Sequence, residues 1–386
     1  MAITFRNLPK GSAIGSGGYI FRHYGNEAPP DYLCFTAQEA GSTVAMAVNG
    51  TPTKGQAFEY STDGTNWSVF TPGTTTITLA NVGNKVYFRG DNTTVGESNS
   101  IYYKFVMSGK IAASGNITSL LNKTCQSTTI LNNYCYYRIF YNCTSLTTAP
   151  ALPATTLAAY CYYNMFYNCT SLTTAPSLPA TTLANYCYYS MFYNCASLTT
   201  APSLPATTLA AYCYYNMFYN CTSLTTAPSL PATTLANDCY GYMFNGCTSL
   251  TTAPVLPATT LAAYCYYNMF YNCTSLTTAP SLPATTLANY CYYNMFYNCT
   301  SLTTAPALPA TTLRGNCYNS MFYNCTNLQV YSSSGTGHTK AWRIPTSGIA
   351  NSYTSQPKMF YKCPGSYKST SSVLLNTTFY TQNTPV

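Results

Sequence analysis

The sequence predicts an α/β solenoid with a 26-residue period, made of short parallel strands and short helices and preceded by a small all-β, sandwich-like domain. Three observations predict it. Two series of cysteines, one from Cys135 to Cys317 and one from Cys143 to Cys325, each advance by 26 residues through eight members. The phrase beginning at Leu152, LPATTLAAYCYYNMFYNCTSLTTAPS, returns at the same interval with few changes. Ahead of these repeats, the stretch from Asp31 to Ser108 changes character and alternates short β-branched or aromatic runs with turn residues. A fixed period in the range of about 20–50 residues marks units that cannot bury an apolar face alone and stack on their neighbours to do so.

Residues 1–30 are rich in Gly and close on Pro29-Pro30, so they read as an extended N-terminal anchoring arm. Residues 31–108 hold the runs YLCFTA, STVAMAV, AFEYS, WSVF, TTITLA, KVYFRG and IYYKFVM, separated by Asn49-Gly50, Asp63-Gly64 and Gly83-Asn84. Those dipeptides are hairpin-turn chemistry, and six or seven strands in so short a span suggest a sandwich with Trp67 in its core, a carbohydrate-stacking role for Trp67 being the alternative. Residues 109–134 carry Ile111, Ile117, Leu120 and Leu121 at the spacing of an atypical first coil, which would cover the open end of the stack.

Residues 135–330 are the eight repeated coils. Within one, Pro153 suits a helix start, Thr155 or Thr156 can cap, and TLAAYCYYNMFYN favours a short helix. Leu157, Cys161 and Met165 then fall at i, i+4 and i+8 on one inward face with Phe166 beside them. Tyr160, Tyr163, Asn164 and Tyr167 lie to the sides or outside. The segment TSLTTAP after Cys169 reads as a brief strand of a parallel ladder, with Leu172 and Ala175 inward and Thr173 and Thr174 on the surface. Strands roughly 4.8 Å apart give a rod on the order of 40 Å long.

Residues 331–386 lose the period, although Lys358-Met359-Phe360-Tyr361-Lys362-Cys363 echoes MFYNC, so they read as a degenerate coil and a basic C-terminal cap, with Trp342 and Ile344 over the apolar end. Charge follows this division. Residues 1–138 carry ten Lys/Arg and seven Asp/Glu, residues 139–313 carry only Asp238, and residues 314–386 carry six Lys/Arg and no acid. Lys340, Arg343, Lys358, Lys362 and Lys368 are candidates for contact with an anionic surface, against a plainer role as a solvated end-cap. The aromatic body lacks the interleaved Lys/Arg that phosphate contacts require, which argues against nucleic acid. No apolar run is long enough for a membrane span, and the N-terminal residues lack the pattern of a signal peptide.

Reactive chemistry is hard to assemble. Nineteen cysteines raise disulfides and metals. Yet Cys161 and Cys169 at the ends of a helix would lie about 12 Å apart, and a ladder of identical positions offers each cysteine two equivalent partners. Free, buried thiols acting as small hydrophobes fit better. No short CxxC pair occurs and only His23 and His338 could assist, so no metal or cofactor is expected. The acids Asp31, Glu39, Glu59, Asp63, Asp91 and Glu97 form no motif with either histidine, so no catalytic residues are expected. The NCT triplets at Asn142, Asn168, Asn220, Asn272, Asn298 and Asn324 match the glycosylation pattern but follow from the repeat itself.

The units MFYNCTSLTTAP and LPATTLA, with Met-Phe before a ladder cysteine and Leu three residues after it, resemble BspA-type leucine-rich repeats of bacterial surface proteins over residues 125–330. FEYSTDGTNWSVF through NVGNKVYFRGDN resembles the β-rich leader that often precedes them. Ala175 and Pro176 depart from the Leu or Ile usual in leucine-rich repeats. The resemblance implies a leucine-rich-repeat-like solenoid, adhesion to host proteins and surfaces, an origin in gut bacteria or their phages, and a ladder position where Cys stands in for Asn.

The function this supports is a non-enzymatic bacteriophage virion surface protein, of fibre or decoration type, at the virion surface. Its arm at residues 1–30 would meet other virion proteins, and its repeats would present a Tyr/Thr face to a host-surface glycan or protein. The residues expected to bind are Tyr163, Tyr167, Thr173, Thr174, Tyr189, Tyr193, Tyr215, Tyr219, Tyr267 and Tyr271. A bacterial cell-surface adhesin, a purely structural virion spacer and an ice-binding lattice of stacked Thr are the alternatives, the last opposed by a helix starting at Thr155-Thr156. A homo-oligomer is compatible with any of them.

Overall fold

The computed structural model describes residues 31–125, 127–343, 347–348, 358–365 and 378–381. The arm at residues 1–30, Ile344 and Lys368 lie outside the described residues. The chain enters through β1 (Leu33–Ala37), β2 (Ser42–Asn49), β3 (Phe58–Ser61), β4 (Ser68–Phe70), β5 (Thr76–Leu79), β6 (Lys85–Gly90), β7 (Tyr102–Ser108) and β8 (Ile111–Ser114). Two sheets result, one ordered β5-β2-β7 and one β4-β3-β6-β1-β8, the second extended by β9 (Leu146–Thr148) from the first repeat. Alternation places Val44 and Met46 of β2 and Val86 and Phe88 of β6 inside. Phe35, Phe88 and Phe105 meet edge to face at 4.8–5.6 Å between the sheets.

Of the three expected hairpin turns, only Asp63-Gly64 joins paired neighbours, β3 and β4. β2 pairs with β5 and β7, so Asn49-Gly50 ends a strand without closing a hairpin. Trp67 is not a core residue. It is partly exposed, with the Arg89 guanidinium 3.9 Å from its ring centroid and Tyr32 edge-on at 4.9 Å. Arg89 is in turn paired with Glu59.

The expected helix is absent. Among the described residues the one helix is a 3-10 turn, Ile117–Leu120, capped by the Asn116 side chain. Over Tyr160–Cys169 the backbone takes positive φ at every fourth residue, Tyr160, Asn164 and Asn168, at 58°, 53° and 59°. A left-handed residue at that interval ends any α-helix before its second turn. The N–H groups of Tyr163, Met165, Tyr167 and Cys169 bond three residues back, as in linked β-turns. Those of Tyr160, Tyr162, Asn164, Phe166 and Asn168 donate instead to carbonyls of the next coil, from Asn185 to Tyr193. Each coil therefore contributes a run of turns, cross-linked like a sheet.

The remaining faces are extended. The strand expected after Cys169 survives as β9 in the first repeat and as single parallel bridges thereafter, Thr148 to Thr174 to Thr200 and onward to Thr304. Thr155-Thr156 is no helix cap either: Thr156 bridges Thr129 and Thr182 in a second parallel row. Leu172, Leu178 and Ala180 point inward, whereas Ala175, expected inward, is only partly buried.

The leader supplies the first rung of this stack. β8 pairs with β1 on one side and, in parallel, with β9 on the other. The β7 residue Phe105 donates its N–H to Ile139, accepts the Cys143 thiol and stacks on Phe140 at 5.4 Å, as each Phe does with the coil after it. At the far end, Phe322 and Asn324 donate to Met359 and Tyr361, so Lys358–Cys363 continues the ladder across an insertion. That insertion carries β11 (Val330–Tyr331) and β12 (Lys340–Arg343), which flank β14 (Thr378–Thr381), while β10 (Thr312–Leu313) pairs with β13 (Ser347–Gly348).

Candidate functional site

Turns of four residues put every fourth side chain in register, and stacking coils convert each position into a column. Cys161, Tyr162, Met165, Phe166 and Cys169 all point inward and are at most 1 % exposed. Tyr162 belongs to a buried column running from Tyr136 to Tyr318, with rings 5.7–5.8 Å apart. Its members are indistinguishable by residue type from the outward tyrosines, so only the four-residue register could have separated them.

Three outer columns remain. The first runs Tyr134, Tyr160, Tyr186, Tyr212 and resumes at Tyr264 and Tyr290. The second runs Tyr137, Tyr163, Tyr189, Tyr215 and resumes at Tyr267 and Tyr293. The third runs Tyr141, Tyr167, Tyr193, Tyr219 and resumes at Tyr271, Tyr297, Tyr323 and Tyr361. Rings within a column are near-parallel and 4.4–5.1 Å apart. Stacked faces cover one another, so an unbroken column offers solvent its ring edges and hydroxyls. All eight tyrosines expected to bind lie in the second and third columns, partly buried, and Thr173 and Thr174 are exposed on a separate face. The structure thus divides the expected residues between two surfaces.

Polar rows tie the coils together. The Asn194 amide donates to Asn168 and the Asn220 amide to Asn194, at 2.6 and 2.7 Å, and Asn324, Asn298 and Asn272 repeat the pattern. All but Asn194, which is followed by Cys-Ala, are asparagines of the NCT triplets, and all are held at positive φ and partly buried. All nineteen cysteines carry free thiols. Cys169, Cys195, Cys221 and the rest of that series donate to the Phe carbonyl of the preceding coil, at 3.0–3.1 Å. Burial pushes Cys221 up to about 12 against an ordinary 9.0, which keeps the thiol protonated near neutral pH.

Cations sit at both ends of the third column. Arg138 occupies a ladder position that is Asn in most coils, and its guanidinium lies 4.9–5.5 Å from the rings of Tyr141, Tyr137 and Tyr102. Lys362, at φ 64°, places its ammonium 5.8 Å from Tyr323 and 6.0 Å from Tyr361. Lys358 shares that last rung, and Lys340 and Arg343 lie at the two ends of β12. Two shallow concavities, of about 320 and 220 Å³, lie elsewhere: one lined by Pro150, Pro153, Pro176 and Pro179, the other at the leader junction by Asn92, Asn122 and Asn132. Among the described residues, no group of three or more His, Cys, Asp or Glu converges as a metal site, and no helix is long and apolar enough to cross a membrane.

One interior coil interrupts all three columns. Against Tyr-Cys-Tyr-Tyr-Asn-Met-Phe-Tyr-Asn-Cys, it reads Asp238-Cys239-Tyr240-Gly241-Tyr242-Met243-Phe244-Asn245-Gly246-Cys247. All three outer columns and the Asn row stop at this rung and start again after it. In the sequence Asp238 stands out only as the one charge of residues 139–313, and the neighbours that depart from the repeat with it carry no charge to mark them.

The family model for the BspA type leucine rich repeat region matches residues 113–225, 189–302 and 242–339, in six copies. No curated protein and no solved structure matches the chain. The matched residues span more than half of the sequence and coincide with the stacked coils, and the chain belongs to the BspA-type leucine-rich repeat family.

Proposed function

We propose that this chain is a non-enzymatic surface protein that adheres through the outer face of its solenoid. The observation that carries the reading is the repeated aromatic face: three tyrosine columns on a stiff cross-linked stack, with one acidic and no basic side chain between residues 139 and 313. Ring edges and hydroxyls repeated at each rung suit multivalent contact with a polymeric partner, a host-surface glycan or protein, where many weak contacts add.

The carrier in this reading is a bacteriophage virion, with the chain as a fibre or decoration, anchored to other virion proteins through residues 1–30. Nineteen free thiols fit a chain that folds in a reducing compartment before it is displayed. The all-β leader is then a mount and the C-terminal cations an end-cap.

Tyr→Phe changes at Tyr163, Tyr189 and Tyr215 test the adhesive role, because they remove hydroxyls while keeping the ring column. Binding to glycan arrays and host cells should fall with no loss of melting temperature. Binding that survives these changes, or that never occurs, leaves a structural spacer. Mass spectrometry of purified virions and of cell-envelope fractions tests the carrier, and recovery from envelopes alone would move the adhesion to a bacterial cell surface.

A further inference from the structure

We infer that the irregular coil at residues 235–250 is a binding site for a cationic side chain, the guanidinium or ammonium group of an Arg or Lys on a partner protein. The substitutions in this coil are sharply divided. Its five core positions, Cys239, Tyr240, Met243, Phe244 and Cys247, keep the consensus residue and are at most 1 % exposed. Its five other positions, Asp238, Gly241, Tyr242, Asn245 and Gly246, have all changed. The coil keeps its innermost residues and changes those outside them, of which Gly241 and Asn245 are themselves buried and Asp238, Tyr242 and Gly246 are partly exposed.

The new surface combines a charge with ring faces. Asp238 carries the one charged side chain between residues 139 and 313, is partly buried, and lies beside the Tyr212 hydroxyl. It stands in the first column, where a ring would otherwise separate Tyr212 from Tyr264. Those two rings are two rungs apart, or roughly 9–10 Å; Tyr212 stacks on Tyr186 and Tyr264 on Tyr290, so at the rung of Asp238 the column supplies no ring to cover their other faces. Residues 139–313 contain no Lys or Arg to pair with the carboxylate, so a counter-charge would come from outside this region. A planar guanidinium or a compact ammonium bonded to Asp238 would reach both ring faces within cation–π range. Tyr242 narrows the adjoining gap in the second column, edge-on to Tyr215 at 5.4 Å and to Tyr267 at 5.2 Å. The chain already seats its own Arg138 and Lys362 on tyrosine rings where columns end. The irregular coil creates two further ends in the first column and supplies a carboxylate between them instead of a cation.

The site deepens the adhesive reading by naming the partner's chemistry, but its test does not depend on that reading. Full-length protein with ring-labelled tyrosine is titrated by NMR with N-acetyl-arginine methylamide, with its neutral citrulline analogue, and with a methyl hexoside. The arginine probe should shift the Tyr212 and Tyr264 ring signals saturably, and Asp238→Asn, which suits the same left-handed backbone, should weaken that response about tenfold or more. Asp238→Tyr, which restores the consensus residue, should abolish it. The proposal is overturned if the arginine probe gives no response, if Asp238→Asn leaves the response intact, or if citrulline or the hexoside matches it. Failure here alongside intact host binding removes the cationic site and leaves the adhesive face standing.

Discussion

At the residue scale, tyrosine plays two roles that its chemistry alone does not separate. Tyr163 and Tyr189 stack with their edges outward, whereas Tyr162 and Tyr188 are sealed inside, and the hydroxyls of Tyr162, Tyr188, Tyr214 and Tyr266 have no hydrogen-bond partner. Burying a hydroxyl without a partner is unfavourable, and Phe would stack equally well in the same column. Tyr214→Phe should therefore leave stability unchanged or raise it by about 1–2 kcal/mol, measured by denaturant unfolding. A loss of stability instead would mean that the hydroxyl is bonded to an interior water. Cysteine was more legible than tyrosine. Its fixed interval, and the resemblance that gives it the place of a ladder Asn, both point to the thiol-to-carbonyl bonds seen from Cys169 onward.

At the element scale, the helix expected over TLAAYCYYNMFYN failed for an identifiable reason. Cys161, Met165 and Cys169 repeat at intervals of 4.0 residues. A helix of 3.6 residues per turn would rotate such a series off one face by about 40° at each step, so the strict interval signals a left-handed residue every fourth position. Asn164 and Asn168 fit that backbone, but Tyr160 does not, and this disguised the pattern. The same geometry makes the irregular coil a coupled unit. A Cβ on Gly241 would come within 2.7 Å of the Tyr215 ring, and one on Gly246 within 3.2 Å of Asn220 Oδ1, at φ +74°. Gly241→Tyr alone should destabilise the chain. Replacing Asp238, Gly241, Tyr242, Asn245 and Gly246 together by the consensus Tyr, Tyr, Asn, Tyr and Asn should stabilise it by roughly 2–4 kcal/mol, since three ring columns become continuous. Melting temperatures of the single and fivefold variants decide this. Additive losses would show that the break is a tolerated defect rather than an exchanged surface.

At the scale of the whole molecule, the leader and the stack share one apolar core, with Phe105 at the head of the phenylalanine column and β8 beside the first coil. Nothing in the sequence of β7 announces this, because a rung that pairs with the repeats has no need to resemble them. The two parts nevertheless respond to pH in opposite directions. In the leader, hydrogen bonds from the backbone and side chain of Asn66 hold Asp63 below the usual carboxylate range. Burial pushes Glu59 up, but Arg89 and Lys123 outweigh it and leave its carboxyl low, so both acids favour folding at neutral pH and lose that effect as pH falls. In the stack, burial acts on neutral acids. It lifts Cys187 and Cys239 from 9.0 to about 12 and Tyr162, Tyr188 and Tyr292 well above 10.0. The folded chain keeps these protons where an unfolded chain has released them. Stability is therefore undiminished below about pH 8 and declines as pH climbs past the ordinary thiol and phenol values. Denaturant midpoints should be flat from roughly pH 6 to pH 8 and then fall steeply, and the tyrosinate absorbance of the buried column should appear together with unfolding. Phenylalanine at Tyr162, Tyr188 and Tyr214 should shift that fall to higher pH. Gradual titration of the inner column with the coils still stacked would contradict the sealed interior on which this account depends.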